Sequence, residues 1–147
     1  MQIFSHSIEL PGLEREAAWE ALLRIMHHPE WVVPSCEGSH VSESRASDGR
    51  RWLKREKNFG EMTIEDNVCL DPAGHVEIHV AAGPCWPRSW QEIDLEGTEG
   101  GVLFRFIYSQ EKVQEFDNPR MAELRNEAYR SKDQEIVNLI SRLMAAA

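Results

Sequence analysis

The sequence predicts an α+β domain: a curved antiparallel seven-stranded sheet wrapped around one long C-terminal helix, with a short helix pair after the first strand. Two observations predict it. From Ser35 to Gln110 turn chemistry recurs about every eight to ten residues between alternating apolar runs, the mark of antiparallel strands. Asn118-Pro119 then opens a helical pattern of roughly 25 residues, ~38 Å long at 1.5 Å each. Only a long sheet can cover such a helix.

Gln2–Leu10 alternates loosely, with Ile8 and Leu10 in phase, and Pro11-Gly12 stops it as a first strand. Residues 13–27 place Ala18, Leu22 and Met26 at i, i+4, i+8 with Trp19 beside them, giving a helix with one apolar face. Glu14 stands where a Ser, Thr or Asp cap is usual, and Pro29 ends the segment. Asp48-Gly49, Asn58-Phe-Gly60, Asp71-Pro-Ala-Gly74, Gly83-Pro84 and Gly97-Thr-Glu-Gly-Gly101 separate the later strands. Met62, Ile64, Val68 and Leu70 keep period two, as do Val76, Ile78 and Val80, and Val102, Phe104, Phe106 and Tyr108. One face of each strand is wet and the other inside. Asn118 followed by Pro119 is a cap residue and a first-turn proline, and the pattern continues to about Leu143.

Composition narrows the function. The 147 residues suit one domain spanning 1–147. A formal charge of −9 opposes phosphate neutralisation, so nucleic acid is not an expected partner. No apolar run approaches the length of a membrane span and no signal peptide precedes Glu16, so a cytoplasmic protein without membrane insertion is expected. Cys36, Cys69 and Cys85 are odd in number with no close pair, which fits free thiols.

The order of elements, with the stretches "HHPEWVVPSCEGSHV", "FGEMTIEDNVCL" and "EAYRSKDQEIVNLI", resembles the START-like superfamily, the helix-grip fold of the birch-pollen allergen and lipid-transfer domains. Within it the chain is similar to a small branch of mostly uncharacterised bacterial proteins, with fungal members tied to secondary metabolism. The resemblance implies a cavity between sheet and long helix, used for hydrophobic ligands in many relatives and catalysis in a few. It also implies that the turn after the first helix caps one cavity end, so that Trp31, Val32 and Val33 face inward. The bland alternative is that Trp31 plugs the core.

Placed at 100° steps, Met121, Leu124, Ala128, Ile136, Leu139, Ile140 and Leu143 share one broad face of the long helix, with Arg125, Tyr129 and Lys132 inside it and Asp133 on its flank. Buried charge is costly, so either the long stems snorkel out or Arg125 and Tyr129 meet the polar end of a ligand. Tyr129 and Asp133 match the branch pattern, which favours Tyr129 over Lys132. Asp66 is in phase with Ile64 and Val68, a carboxylate on an inward face. With a Phe59-Gly60 turn, Leu53 lies opposite Asp66 and Arg55 diagonal to it. A structural ion pair and a pocket carboxylate both satisfy this; an engaged Arg55 would make Asp66 an orienter rather than a base.

"HVEIH" puts His75 and His79 on one strand face about 13 Å apart, too far to share an ion, so no metal is expected. No GxSxG elbow occurs, and "EGTEGGV" lacks the Lys and helix of a phosphate loop, so no cofactor is expected. "GPCWPRSW" reads as a rim loop with Trp86 or Trp90 able to touch a ligand or a partner chain.

The leading expectation is a binder of a small hydrophobic or amphipathic molecule, with Trp31, Val33, Arg55, Ile64, Asp66, Phe104, Phe106, Arg125 and Tyr129 as candidate ligand contacts. The alternatives are a cyclase or lyase acting on a polyketide-like substrate, with Asp66 or Tyr129 moving a proton, and a protein-interaction module.

Overall fold

A computed structural model describes residues 1–84, 86–111 and 118–145. Strand β1 (Gln2–Pro11) leads into helix α1 (Arg15–Met26) and a single 3-10 turn, Pro29–Trp31. Six strands follow: β2 (Gly38–Arg45), β3 (Arg51–Phe59), β4 (Met62–Asp71), β5 (His75–Val80), β6 (Ser89–Thr98) and β7 (Gly101–Gln110). Helix α2 (Pro119–Ala145) closes the chain. The seven strands form one antiparallel sheet in the order β1-β7-β6-β5-β4-β3-β2. Five hairpins lay β2 to β7 side by side, and β1 returns to pair with β7. No helix among the described residues is long and apolar enough to cross a membrane.

Alternation does the sorting. Leu53, Val68, Leu70, Val76, Ile93, Val102, Phe104 and Phe106 all point to the inner face and are fully or almost fully buried. Helix α1 caps this face with Ala18, Leu22, Ile25 and Met26, and α2 adds Ile136, Val137 and Ile140. Glu14 makes no side-chain cap, whereas Asn118 accepts a hydrogen bond from the Met121 amide at 2.9 Å. Cys69, on the opposite phase of β4, is buried outside this core cluster, as is Cys36; both are free thiols, and Cys85 lies outside the described residues.

Two sequence expectations need correction. The β3–β4 turn is Gly60-Glu61, because Phe59 pairs with Met62; Gly60 takes φ +77° at the first turn position, the place for glycine in a tight hairpin. This shifts the register by two residues, so Arg55 is directly opposite Asp66 and Leu53 opposite Val68. A shift of two preserves each residue's face. The second correction concerns α2. Met121 and Leu124 are about half exposed, and Ala128 faces solvent. The covered side runs instead through Tyr129, Asp133, Ile136, Val137 and Ile140, roughly a quarter turn around the helix. The polar first half of α2 gives apolar periodicity little to fix its phase. Asp133, expected on the flank, sits at the centre of the covered side with no exposure.

Candidate functional site

A cavity of about 240 Å³ opens between the sheet, the end of α1 and the middle of α2. Ile3, Met26, Val32, Val33, Ile78 and Ile136 supply its apolar wall, one or two from each surrounding element. One end is different: Arg55 and Lys57 of β3, Asp66 of β4, and Tyr129 and Lys132 of α2 come together there.

The charged end is built by period two. Arg55 and Lys57 share the inward phase of β3 with Leu53, and Asp66 shares that of β4 with Val68. Arg55 donates to Asp66 twice, Nε to Oδ1 and Nη2 to Oδ2, both at 2.7 Å; its Nη1 reaches the Met26 carbonyl at 3.1 Å, tying the sheet to the end of α1. Lys57 Nζ lies 2.9 Å from Asp66 Oδ2. Burial pushes the Asp66 carboxyl up, but Arg55 and then Lys57 outweigh it and hold it below the ordinary carboxylate range. An acid clamped this way is a poor proton acceptor at neutral pH. It orients its two cations instead.

A second polar group adjoins the cavity through Tyr108. The Tyr108 hydroxyl donates to Asp133 at 2.8 Å and accepts from Gln91 Nε2 at 3.1 Å. His6 Nε2 meets Asp133 Oδ2 at 2.6 Å from β1. Burial pushes Asp133 above its ordinary value, with Lys132, His6 and Tyr108 only partly offsetting it; burial and the adjacent Asp133 also push the Tyr108 phenol up. Tyr129 stacks on Tyr108 at 3.8 Å between centroids, and Lys132 lies over both rings.

Of the residues singled out in the sequence, Val33, Arg55, Asp66 and Tyr129 line this cavity. Trp31 does not: it is 42% exposed and stacks on His28 at 4.1 Å, over an outer groove with His27 and Arg51. The 3-10 turn directs Val32 and Val33 inward and leaves Trp31 outside. Phe104 and Phe106 are fully buried in packing and reach no cavity wall. Ile64 pairs with Lys57 toward the hairpin end and is half-buried away from the cavity, and Arg125 is half-buried beside Asn126, a turn before Tyr129. Trp90 lines the cavity as a rim residue, while Trp86 donates to the Ala81 carbonyl and is 38% exposed. Sequence reasoning passed over Lys57, His6 and Gln91. Each is in phase with inward neighbours, Lys57 with Arg55, His6 with Ile8, Gln91 with Ile93, so the signal was present.

The one group of described residues whose ligand atoms converge as a metal site would need is His75, Glu77 and Glu92, within 4.8 Å of one another. It lies on the outer face of the sheet, opposite in phase to Val76 and Ile78, and His75 is already engaged by Asp94.

Residues 4–146 match the family model AtaL, described as acetylaranotin biosynthesis cluster protein L. The chain belongs to the AtaL family. No curated protein sequence matches it. Among solved structures it is similar to a START superfamily protein from Mycobacterium smegmatis, at 15% identity and TM-score 0.68 over 95% of this chain and 97% of that one. It is similar to Ara h 8.0201 at 12% identity and TM-score 0.62, over 98% and 100%. It also resembles the Zhui aromatase/cyclase from Streptomyces sp. R1128 at 12% identity and TM-score 0.58, over 93% and 89%. At these identities the likeness is one of fold, and the fold is the START-like helix-grip.

Proposed function

We propose that this AtaL-family protein binds a small, largely apolar molecule carrying an anionic end. The observation that carries this is an excess of cations at one end of an otherwise apolar cavity. Arg55 and Lys57 face it against Asp66 as the lining carboxylate, with the Lys132 amine beside them. Unneutralised positive charge in a half-dry site is costly, and an acidic ligand relieves that cost. At about 240 Å³ the cavity is a little smaller than the roughly 300 Å³ at which drug-sized pockets begin, so a fused aromatic acid suits it better than a long lipid. The START-like fold, typical of hydrophobic-ligand binding, supports the same reading. Titration calorimetry with 2-naphthoate tests it. One saturable site per chain is expected, with the corresponding amine failing to compete; absence of saturable binding by any aromatic acid would overturn it.

A second reading is favoured by one feature. The hydrogen-bond chain from Tyr108 through Asp133 to His6 joins the cavity wall to a titratable histidine, as an enzyme of the cyclase or lyase kind would require. In that reading Tyr108, not Asp66, exchanges the proton, and Tyr108→Phe abolishes turnover of a polyketide-like substrate while leaving its binding intact.

A further inference from the structure

Lys132 differs from the other two cations at the charged end. Asp66 is taken up by Arg55 through two hydrogen bonds and by Lys57 through a third contact. Asp133 is taken up by Tyr108 and His6. Among the described residues no carboxylate lies within ion-pair distance of the Lys132 amine. Its Nζ donates to Gln91 Oε1 at 3.2 Å and otherwise rests over the faces of Tyr108 and Tyr129, at 5.0 and 5.7 Å from their centroids. The Gln91 amide is itself fixed, because its Nε2 donates to Tyr108. The amine is thus held at the cavity wall in one orientation by a neutral acceptor.

We propose that Lys132 is a covalent carbonyl site: its amine forms an imine with an amphipathic aldehyde or ketone seated in the cavity. This rests on the cavity being a ligand site, as proposed above, and adds the ligand's reactive group. The step needs nothing beyond amine and carbonyl. The nitrogen lone pair attacks the carbonyl carbon, the C=O π pair moves to oxygen, and a proton passes from nitrogen to that oxygen to give a carbinolamine. The C–O bond then breaks with a second proton, water leaves, and the C=N bond forms; loss of the remaining nitrogen proton gives the neutral imine.

The surroundings shift the amine toward its neutral form. Burial lowers the Lys132 pKa most; Asp133 acts against it, Lys57 and Arg55 lower it further, and Asp66 raises it again. The other titratable groups packed around it are Tyr108 on β7, Tyr129 on α2 and, behind Asp133, His6 on β1. An amine desolvated beside other cations is a recognised way to activate a lysine toward carbonyls. A cation-lined end also suits a keto acid or an aldehyde acid, whose carboxylate would take Lys57 and Arg55 while its carbonyl meets Lys132.

The test is reductive trapping with 2-naphthaldehyde and sodium cyanoborohydride at pH 7, read by intact mass and peptide mapping. The chain has four lysines, Lys54, Lys57, Lys112 and Lys132, so assignment is direct. Expected is one saturable adduct on Lys132, heavier by the aldehyde less one oxygen, blocked by 2-naphthoate. It should form faster than the adduct on exposed Lys54, since a lowered pKa raises the free-amine fraction at pH 7. Lys132→Arg keeps a basic group at that place but should lose the adduct; should it misfold by circular dichroism, Lys132→Met takes its place in the trapping assay. Labelling spread over the lysines at the rate of Lys54, with 2-naphthoate still bound by the wild type, overturns the imine alone. Failure of the wild type to bind any aromatic acid overturns the anion-binding reading of the cavity, and a saturable adduct on Lys132 would then still stand for the imine.

Discussion

Arg55 and Asp66 face one another directly across the β3–β4 ladder and join through two 2.7 Å hydrogen bonds, both side chains almost completely buried. The pair lies in the cavity wall rather than beneath it, and Lys57 adds a second cation to the same carboxylate. Structural pairing and ligand recognition are therefore not alternatives here. The carboxylate holds two cations in place, and the cations face the cavity.

Removing the Asp66 charge should cost stability first. Asp66→Asn leaves Arg55 and Lys57 buried beside a neutral amide, and breaking a buried pair this way costs about 3–5 kcal/mol. Because the folded carboxyl lies below its unfolded value, its contribution is complete above the unfolded value near ~3.9 and is lost as pH falls through the folded one. Urea denaturation from pH 7 to pH 2 should show this acid limb in the wild type and not in the variant. A loss under ~1 kcal/mol at pH 7 would mean that the pair is hydrated and weak.

Ala128→Trp tests the phase of α2. Ala128 is exposed, while the adjacent Tyr129 is stacked on Tyr108 in the cavity wall. The tryptophan should be tolerated within about 0.5 kcal/mol, as surface substitutions usually are, with 2-naphthoate binding unchanged. A drop of ~1–3 kcal/mol, the usual cost of overpacking, would put position 128 on the covered side after all.

The fold was legible because strands announce themselves twice, by alternation and by the turns that bound them. Every separator in the sequence marks a turn or loop between strands, and Asn118 caps α2 as its type and place require. The site was less legible for two reasons. Alternation fixes which face Arg55, Lys57 and Asp66 take but not the cross-strand partner, which depends on whether the turn begins at Phe59 or Gly60. In α2 the first half is so polar that Met121, Leu124 and Ala128 drew the apolar face toward solvent. Packing against α1 and β1 sets the phase instead, through Ile136, Val137 and Ile140. Trp31 illustrates a third limit. A large aromatic between prolines suggests burial, yet stacking on His28 provides it with a partner outside the core.

Asp133 should oppose stability as pH rises. Its folded value lies above the unfolded one, so the folded chain holds this proton more tightly than the unfolded chain does. Wild-type stability therefore falls from near pH ~3.9 up through the folded value and then levels, as far as this group is concerned. Asp133→Asn removes that dependence but keeps an acceptor for Tyr108. Its stability relative to wild type should rise with pH over the same interval, measured by urea denaturation in steps of pH. A flat difference would show that His6, Tyr108 and Lys132 together compensate the buried charge fully.

The last prediction separates the charged end of the cavity from its apolar wall. Lys57 reaches the cavity and Asp66 at once, so Lys57→Gln removes one cation while Arg55 still holds the carboxylate by both oxygens. A ligand carboxylate then loses one charge-assisted hydrogen bond, worth about 1.5–3 kcal/mol, or roughly 10- to 150-fold in Kd. An alcohol of the same ring system makes no such bond and should lose little. Titration calorimetry of 2-naphthoate and 2-naphthalenemethanol against wild type and variant reads both terms in one cycle, and any general loosening of the site cancels between them. The acid should weaken at least about tenfold more than the alcohol. Salt should narrow the difference only slightly, because charges inside a cavity are screened far less than charges at the surface. Should both ligands weaken equally, Lys57 serves only to support Asp66, and the anionic end of the ligand lies elsewhere.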